Sequence, residues 1–142
     1  MIYESQEELD AGVAKWAKVL RLQDWDIKIC IKRQSEMSCD QVNGENRWTL
    51  SNKESLICLL DPVDYPKDCR WEQDHEQTLV HELLHLHLAE WPVGKNGKAT
   101  TAEEQAICCL ADALVKLDRW EMSVPTVNGQ VSFAEKREKV KA

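Results

Sequence analysis

Leu9, Val13, Trp16 and Leu20 follow one another at spacings of four, three and four, the stripe of a helix that buries one face. Ser5, with Glu8 three residues on, supplies a capping box, so the pattern predicts a helix from about Gln6 to Leu22. The period then changes to two. Trp25, Ile27, Ile29 and Ile31 fall on one face, and Asp26, Lys28, Cys30 and Lys32 on the other, which is a half-buried strand. Short candidate strands follow near Met37–Val42 and Arg47–Leu50, around the turn signal Asn43-Gly44. A second turn, Ser51-Asn52-Lys53-Glu54, leads into the apolar run Ser55–Leu60, which stops at Asp61-Pro62. One helix and about four strands on short turns favour a mainly antiparallel sheet.

Asp61–Trp71, with Pro62 and Pro66, reads as a loop. Beyond it Leu79, Val80, Leu83, Leu84, Leu86 and Leu88 are apolar nearly all round, so a largely buried helix is expected, starting near Glu72–His75 and ending before Pro92. Trp91-Pro92, Gly94, Asn96 and Gly97 form a connection. Thr100 or Thr101, each three residues before a glutamate, caps a last helix that runs to about Trp120, with Ile107, Leu110, Leu114 and Leu117 as its stripe. Val127-Asn128-Gly129-Gln130-Val131 then suggests a small hairpin, and Phe133–Ala142 a solvated end. A chain of 142 residues with no internal repeat fits one domain over 1–142, residues 121–142 being peripheral.

Composition removes several classes of function. Apolar residues make up 43% and charged residues 30%, as in an ordinary globular protein. A formal net charge of −7 is the opposite of a nucleic-acid footprint, so no nucleic-acid partner is expected. No run of about 18 apolar residues is present to span a membrane. Glu4, Glu7, Glu8 and Asp10 stand where an export signal would carry its apolar core, so a cytoplasmic location is expected. The six cysteines include the adjacent pair Cys108-Cys109 and no CxxC spacing, which points to reduced thiols rather than a disulfide framework.

The chemistry concentrates in His81-Glu82-Leu83-Leu84-His85. On a helix, residues four apart project from one face, so both imidazoles can hold one zinc ion while Glu82 reaches the attacking water as general base. A catalytic zinc takes a third protein ligand. The position six after His85 is Trp91, which excludes a third histidine of the metzincin type. His87 and His75 lie off the ligand face, although His75 can line a cleft near the helix start. Glu103 and Glu104 open the following helix. The apolar stripe favours Glu103; the spacing, with eighteen residues between His85 and Glu104, favours Glu104, which we take as the third ligand with Glu103 as the alternative. Tyr65, in the preceding loop, is a weak candidate for stabilising an oxyanion.

With Glu104-Gln105-Ala106-Ile107-Cys108-Cys109-Leu110-Ala111-Asp112-Ala113-Leu114 downstream, Leu79–Glu90 resembles the small zincin-like metallopeptidases of phages, mobile elements and bacteria, related in pattern to the ImmA/IrrE-type peptidases. That pattern usually has asparagine where Cys108 stands. The resemblance implies an α+β, zincin-like fold. Its N-terminal helix packs on a short, mainly antiparallel twisted sheet, followed by the His-Glu-x-x-His helix and a glutamate-bearing helix. It also implies a minimal gluzincin: one zinc ion per chain on His81, His85 and Glu104, Glu82 as general base, and a peptide or protein substrate along an edge strand, for which Ser55–Leu60 is the natural candidate. The setting would be the cytoplasm of a bacterial host. The competing expectation is an inactive, zinc-stabilised protein-binding module.

Overall fold

The computed structural model describes residues 1–90 and 99–123. Helix α1 spans Gln6–Val19, strand β1 Asp26–Lys32, β2 Gly44–Thr49, β3 Glu54–Leu60, helix α2 His75–His87 and helix α3 Thr101–Ser123. Single 3-10 turns occupy Gln34–Glu36 and Pro62–Asp64. The connection at 91–98 and the hairpin and charged end expected after residue 123 lie outside the described residues.

Ser5 Oγ accepts the Glu8 N–H at 3.2 Å, as the cap signal predicts, whereas the Glu8 carboxylate accepts from Glu4 N–H rather than from Ser5. Helix α1 stops at Val19, short of the expected Leu22. Leu22 N–H reaches Ala17 O at 2.7 Å and Arg21 N–H reaches Lys18 O at 3.3 Å, with Arg21 at φ 59. This is a Schellman ending, built on an arginine in the left-handed region where glycine is usual.

The sheet has order β1-β3-β2. β1 pairs with β3 in parallel, Ile29 beside Ile57, and β2 pairs with β3 antiparallel, Asn46 beside Ile57. The sheet is therefore mixed, and it has three strands among the described residues. The fourth strand expected at Met37–Val42 is absent. The Gln34–Glu36 turn precedes that segment, fixed by Arg33 N–H on Glu36 Oε2 and by the Arg33–Asp64 ion pair. The placement of Ser55–Leu60 as an edge strand is also corrected. As the most apolar strand, β3 takes the middle, where Ile57, Cys58 and Leu59 are fully buried and both backbone edges are paired. β2 is the edge that borders α2: Asn46 and Gly44 reach Glu82 and Thr78.

Helices α1 and α2 share one face of the sheet. Leu9, Val13 and Trp16 of α1 meet Leu79, Val80 and Leu83 of α2 over Ile29, Ile57 and Leu59. Helix α3 packs on α2 through Ile107, Ala111 and Val115. The expected stripe is thus rotated: Ile107 is buried, Leu114 is half-buried, but Leu110 and Leu117 are more than half exposed.

The N-terminal turn of α2 joins the layers. His75, fully buried, receives Tyr3 N–H on Nδ1 at 3.2 Å, and its Nε2 lies 3.0 Å from Leu60 O, so it is a core residue and not part of a cleft. Glu76, 3% exposed, accepts from Trp16 Nε1 at 3.0 Å, Lys15 Nζ at 3.1 Å and Arg119 Nη2 at 2.9 Å. Those bonds tie α1, α2 and α3 at one point and hold the Glu76 carboxyl below the usual glutamate range against the burial that raises it.

Candidate metal centre

Asp74 accepts the Gln77 N–H and caps α2. Because Leu79, Val80, Leu83, Leu84 and Leu86 are buried, the helix is fixed in rotation, and His81 and His85 face β2 and the start of α3. Thr100 Oγ1 accepts Glu103 N–H, and Glu104 N–H closes the first helical turn on Thr100 O. Glu104 continues the buried line of Ile107, Ala111 and Val115, at spacings of three, four and four.

Three donor atoms meet there. His81 Nε2 is 3.2 Å from His85 Nε2 and 3.3 Å from one Glu104 carboxylate oxygen, and the other oxygen is 3.5 Å from His85 Nε2. Tetrahedral zinc with bonds of about 2.0–2.1 Å requires neighbouring donors about 3.3 Å apart. The two imidazole nitrogens stand at that spacing and each has a different Glu104 oxygen within 3.5 Å, and the chemistry of the set, two imidazoles and a carboxylate, suits the same ion. Burial, and next the neighbouring His85, push the His81 pKa down, with Glu104 opposing, so a neutral imidazole with a free lone pair is favoured. The Glu104 side chain is 44% exposed, so the triangle opens to solvent on its α3 side. A cavity of about 560 Å³ along Gln34, Asp40, Val42 and Leu60 contains none of the three donors.

Glu82 lies beside the centre, 7% exposed, and its carboxylate has no hydrogen-bond partner among the described residues. Burial first, then the charges of Glu104 and Glu45, push its pKa up to about 8. A cation among the donors acts against all three causes. Gly44 makes room for this side chain: a Cβ there would come within 2.6 Å of Thr78 Cγ2 and 3.1 Å of Glu82 Oε1. Two residues on, Asn46 Nδ2 donates to the Glu82 carbonyl at 2.9 Å, while Ser55 Oγ holds the Asn46 amide oxygen at 2.7 Å. Two further on, the Trp48 ring stacks on His85 with centroids 6.4 Å apart and planes at 18°. The far side of His81 meets Cys108, Sγ to Nδ1 3.6 Å, one turn beyond Glu104.

Backbone pairing adds a directional feature. Leu60 N–H bonds Asn43 O, so in the antiparallel ladder the residues that exchange bonds with β3 are Asn43, Glu45, Arg47 and Thr49. Gly44, Asn46 and Trp48 therefore aim their N–H and C=O groups away from β3, along the edge that borders the donors.

Of the two glutamates left open by the sequence, it is Glu104 whose carboxylate meets the imidazoles; Glu103 is not among the converging donors. His87 is exposed. Tyr65 spends its hydroxyl on Trp71 O at 2.9 Å and sits beside Cys69. Sequence reasoning missed Gly44, Asn46 and Trp48. Their alternation is the available signal, obscured because Asn43-Gly44 reads as a turn, which puts the strand's expected start at Arg47 instead of Gly44.

The arrangement is a zincin-like α+β fold carrying His81-Glu82-x-x-His85 and a downstream glutamate donor, which is consistent with a gluzincin-type fold. No family model matches the chain, and no curated protein or solved structure matches it either. Among the described residues no helix is long and apolar enough to cross a membrane.

Proposed function

We propose that this protein is a zinc-dependent metallopeptidase with His81, His85 and Glu104 as zinc ligands and Glu82 as general base. The observation that carries the reading is the convergence of His81, His85 and Glu104, with the imidazole nitrogens 3.2 Å apart and a Glu104 oxygen 3.3 Å from one and 3.5 Å from the other. Zinc bound there supplies Lewis acidity toward a carbonyl and lowers the pKa of water. The chain's own contribution is orientation and proton movement. Glu82, recessed beside Gly44, accepts a proton from the attacking water and delivers it to the leaving amine nitrogen. The outward amides and carbonyls of Asn46 and Trp48 align an extended peptide along β2, with its backbone next to the donors. This edge replaces Ser55–Leu60 as the substrate-binding strand. The likeness to small phage and bacterial zincins supports a cytoplasmic peptidase of that kind.

Metal analysis of the purified protein by mass spectrometry, beside His81→Ala and Glu104→Ala, tests the ligands. About one zinc per chain in the wild type, lost in both variants, is expected. A Glu82→Gln variant should keep its zinc and lose peptide cleavage by at least about 100-fold. Undiminished cleavage would overturn the role of Glu82. A wild type that takes up no zinc would remove the metallopeptidase reading altogether.

A further inference from the structure

We propose that Trp48 selects the substrate, its indole forming an apolar shelf beside the donors for an aromatic or large aliphatic side chain adjacent to the reacting carbonyl. The inference rests on the metallopeptidase reading and names the substrate class for it. Three independent features converge on Trp48. It follows Gly44 and Asn46 on the face of β2 that meets α2, so its ring lies against His85, one of the three donors. The residue is 36% exposed, so its ring meets His85 while surface remains accessible to a ligand. Its backbone N–H and C=O point outward from the sheet, so a peptide strand added to β2 pairs with Trp48 itself.

Cross-strand partners share a face of the sheet. The peptide residue opposite Trp48 therefore directs its side chain toward α2 and onto the indole, immediately beside His85. The residue two along lies opposite Asn46, beside Glu82. Electrostatics sharpen the preference. Glu82 and Glu104 border this surface with carboxylates, whereas Glu45 lies with Arg47 on the opposite face of the strand. The nearby cation of β2, Arg47, lies on the other face of the strand and is held by Glu45 and Ser38. An acidic side chain is repelled there, and a flat apolar one gains the indole.

The test uses N-acetylated hydroxamates of Phe, Leu, Ala and Asp, whose chelating group anchors on zinc and leaves the side chain as the variable. Dissociation constants are measured by calorimetry on zinc-loaded protein, wild type and Trp48→Ala, Trp48→Thr and Trp48→Phe. Trp48→Thr keeps a strand-forming residue at the edge. Zinc affinity and thermal unfolding are followed for each. The Phe compound should bind wild type about tenfold more tightly than the Ala compound, with Asp weakest. That ratio should fall to about two in Trp48→Ala and Trp48→Thr and persist in Trp48→Phe, with zinc affinity unchanged. A wild-type ratio near one, or a ratio that survives in Trp48→Ala or Trp48→Thr, overturns the proposal. Zinc-loaded wild type that binds no hydroxamate also overturns the proposal, whereas a wild type that takes up no zinc removes the metallopeptidase reading on which it rests.

Discussion

Helix α2 carries the dipeptide His-Glu twice, at His75-Glu76 and again six residues on at His81-Glu82. His75, Glu76 and Glu82 are buried, the two glutamates at 3% and 7% exposure, and His81 is half-buried. Their surroundings differ in one respect. Every polar atom of the first pair's side chains faces a protein partner: Tyr3 N–H and Leu60 O for His75, and Trp16, Lys15 and Arg119 for Glu76. In the second, His81 Nε2 faces only His85 Nε2 and a Glu104 oxygen, the other members of the same cluster, and the Glu82 carboxylate has no hydrogen-bond partner among the described residues. Buried polar groups are costly unless satisfied. The first turn of α2 is thus a structural joint, complete in the protein alone, and the second is arranged for something added to it.

The contrast is broken most forcefully by exchanging losses between the two glutamates. Glu76→Ala should destabilise the fold by about 2–4 kcal/mol, because it leaves Trp16 Nε1 unpaired and separates α1, α2 and α3. Glu82→Gln should cost little or no stability, since it removes a buried carboxylate that lacks a partner. Equal destabilisation in urea titrations would show that both turns are structural. Zinc gives the complementary result. At about 100 times its dissociation constant it should stabilise the wild type by about 2.7 kcal/mol, and His75→Gln by the same increment, but not His85→Ala. Stabilisation of His85→Ala by zinc would place the ion elsewhere.

Local patterns were legible in the sequence, and partner choice was not. The four-three-four stripe located α1, and strict alternation located β1 within one residue at each end. The early stop of α1 rests on Arg21 in the left-handed region, which no glycine announces. Sheet order was hidden because β1 passes over β2 in sequence to pair in parallel with β3, a long-range choice driven by burying the most apolar strand. On α3 the leucines misled. The face against α2 is Ile107-Ala111-Val115, and Ala111 keeps the contact small, while Leu110 and Leu117 point away. That same rotation decides between Glu103 and Glu104, which is why the stripe alone favoured the other residue. The His81–Glu82–His85 cluster was readable because its spacing is intrahelical, whereas Arg119 reaching back 43 residues to Glu76 left no local mark.

The smallest effect comes from protons at His75. Tyr3 N–H can only donate, so His75 Nδ1 must accept, and the Nε2 proton is then given to Leu60 O. This neutral tautomer matches both neighbours, and a second proton on Nδ1 would meet the Tyr3 N–H directly. Burial, the largest cause, holds the His75 pKa below its ordinary value of 6.5; the Leu60 carbonyl opposes it, and the charged N-terminus reinforces it. The unfolded chain therefore takes up a proton near pH 6.5 that the folded chain refuses. Above that pH the residue contributes no pH dependence. Below it, until the folded form itself protonates, this residue alone lowers stability as pH falls, by up to about 1.4 kcal/mol per pH unit. Unfolding curves between pH 7.5 and 5, subtracted from those of His75→Gln to remove every other titrating group, should show that slope; parallel curves would mean that the joint accepts the proton and is less closed than its hydrogen bonds imply.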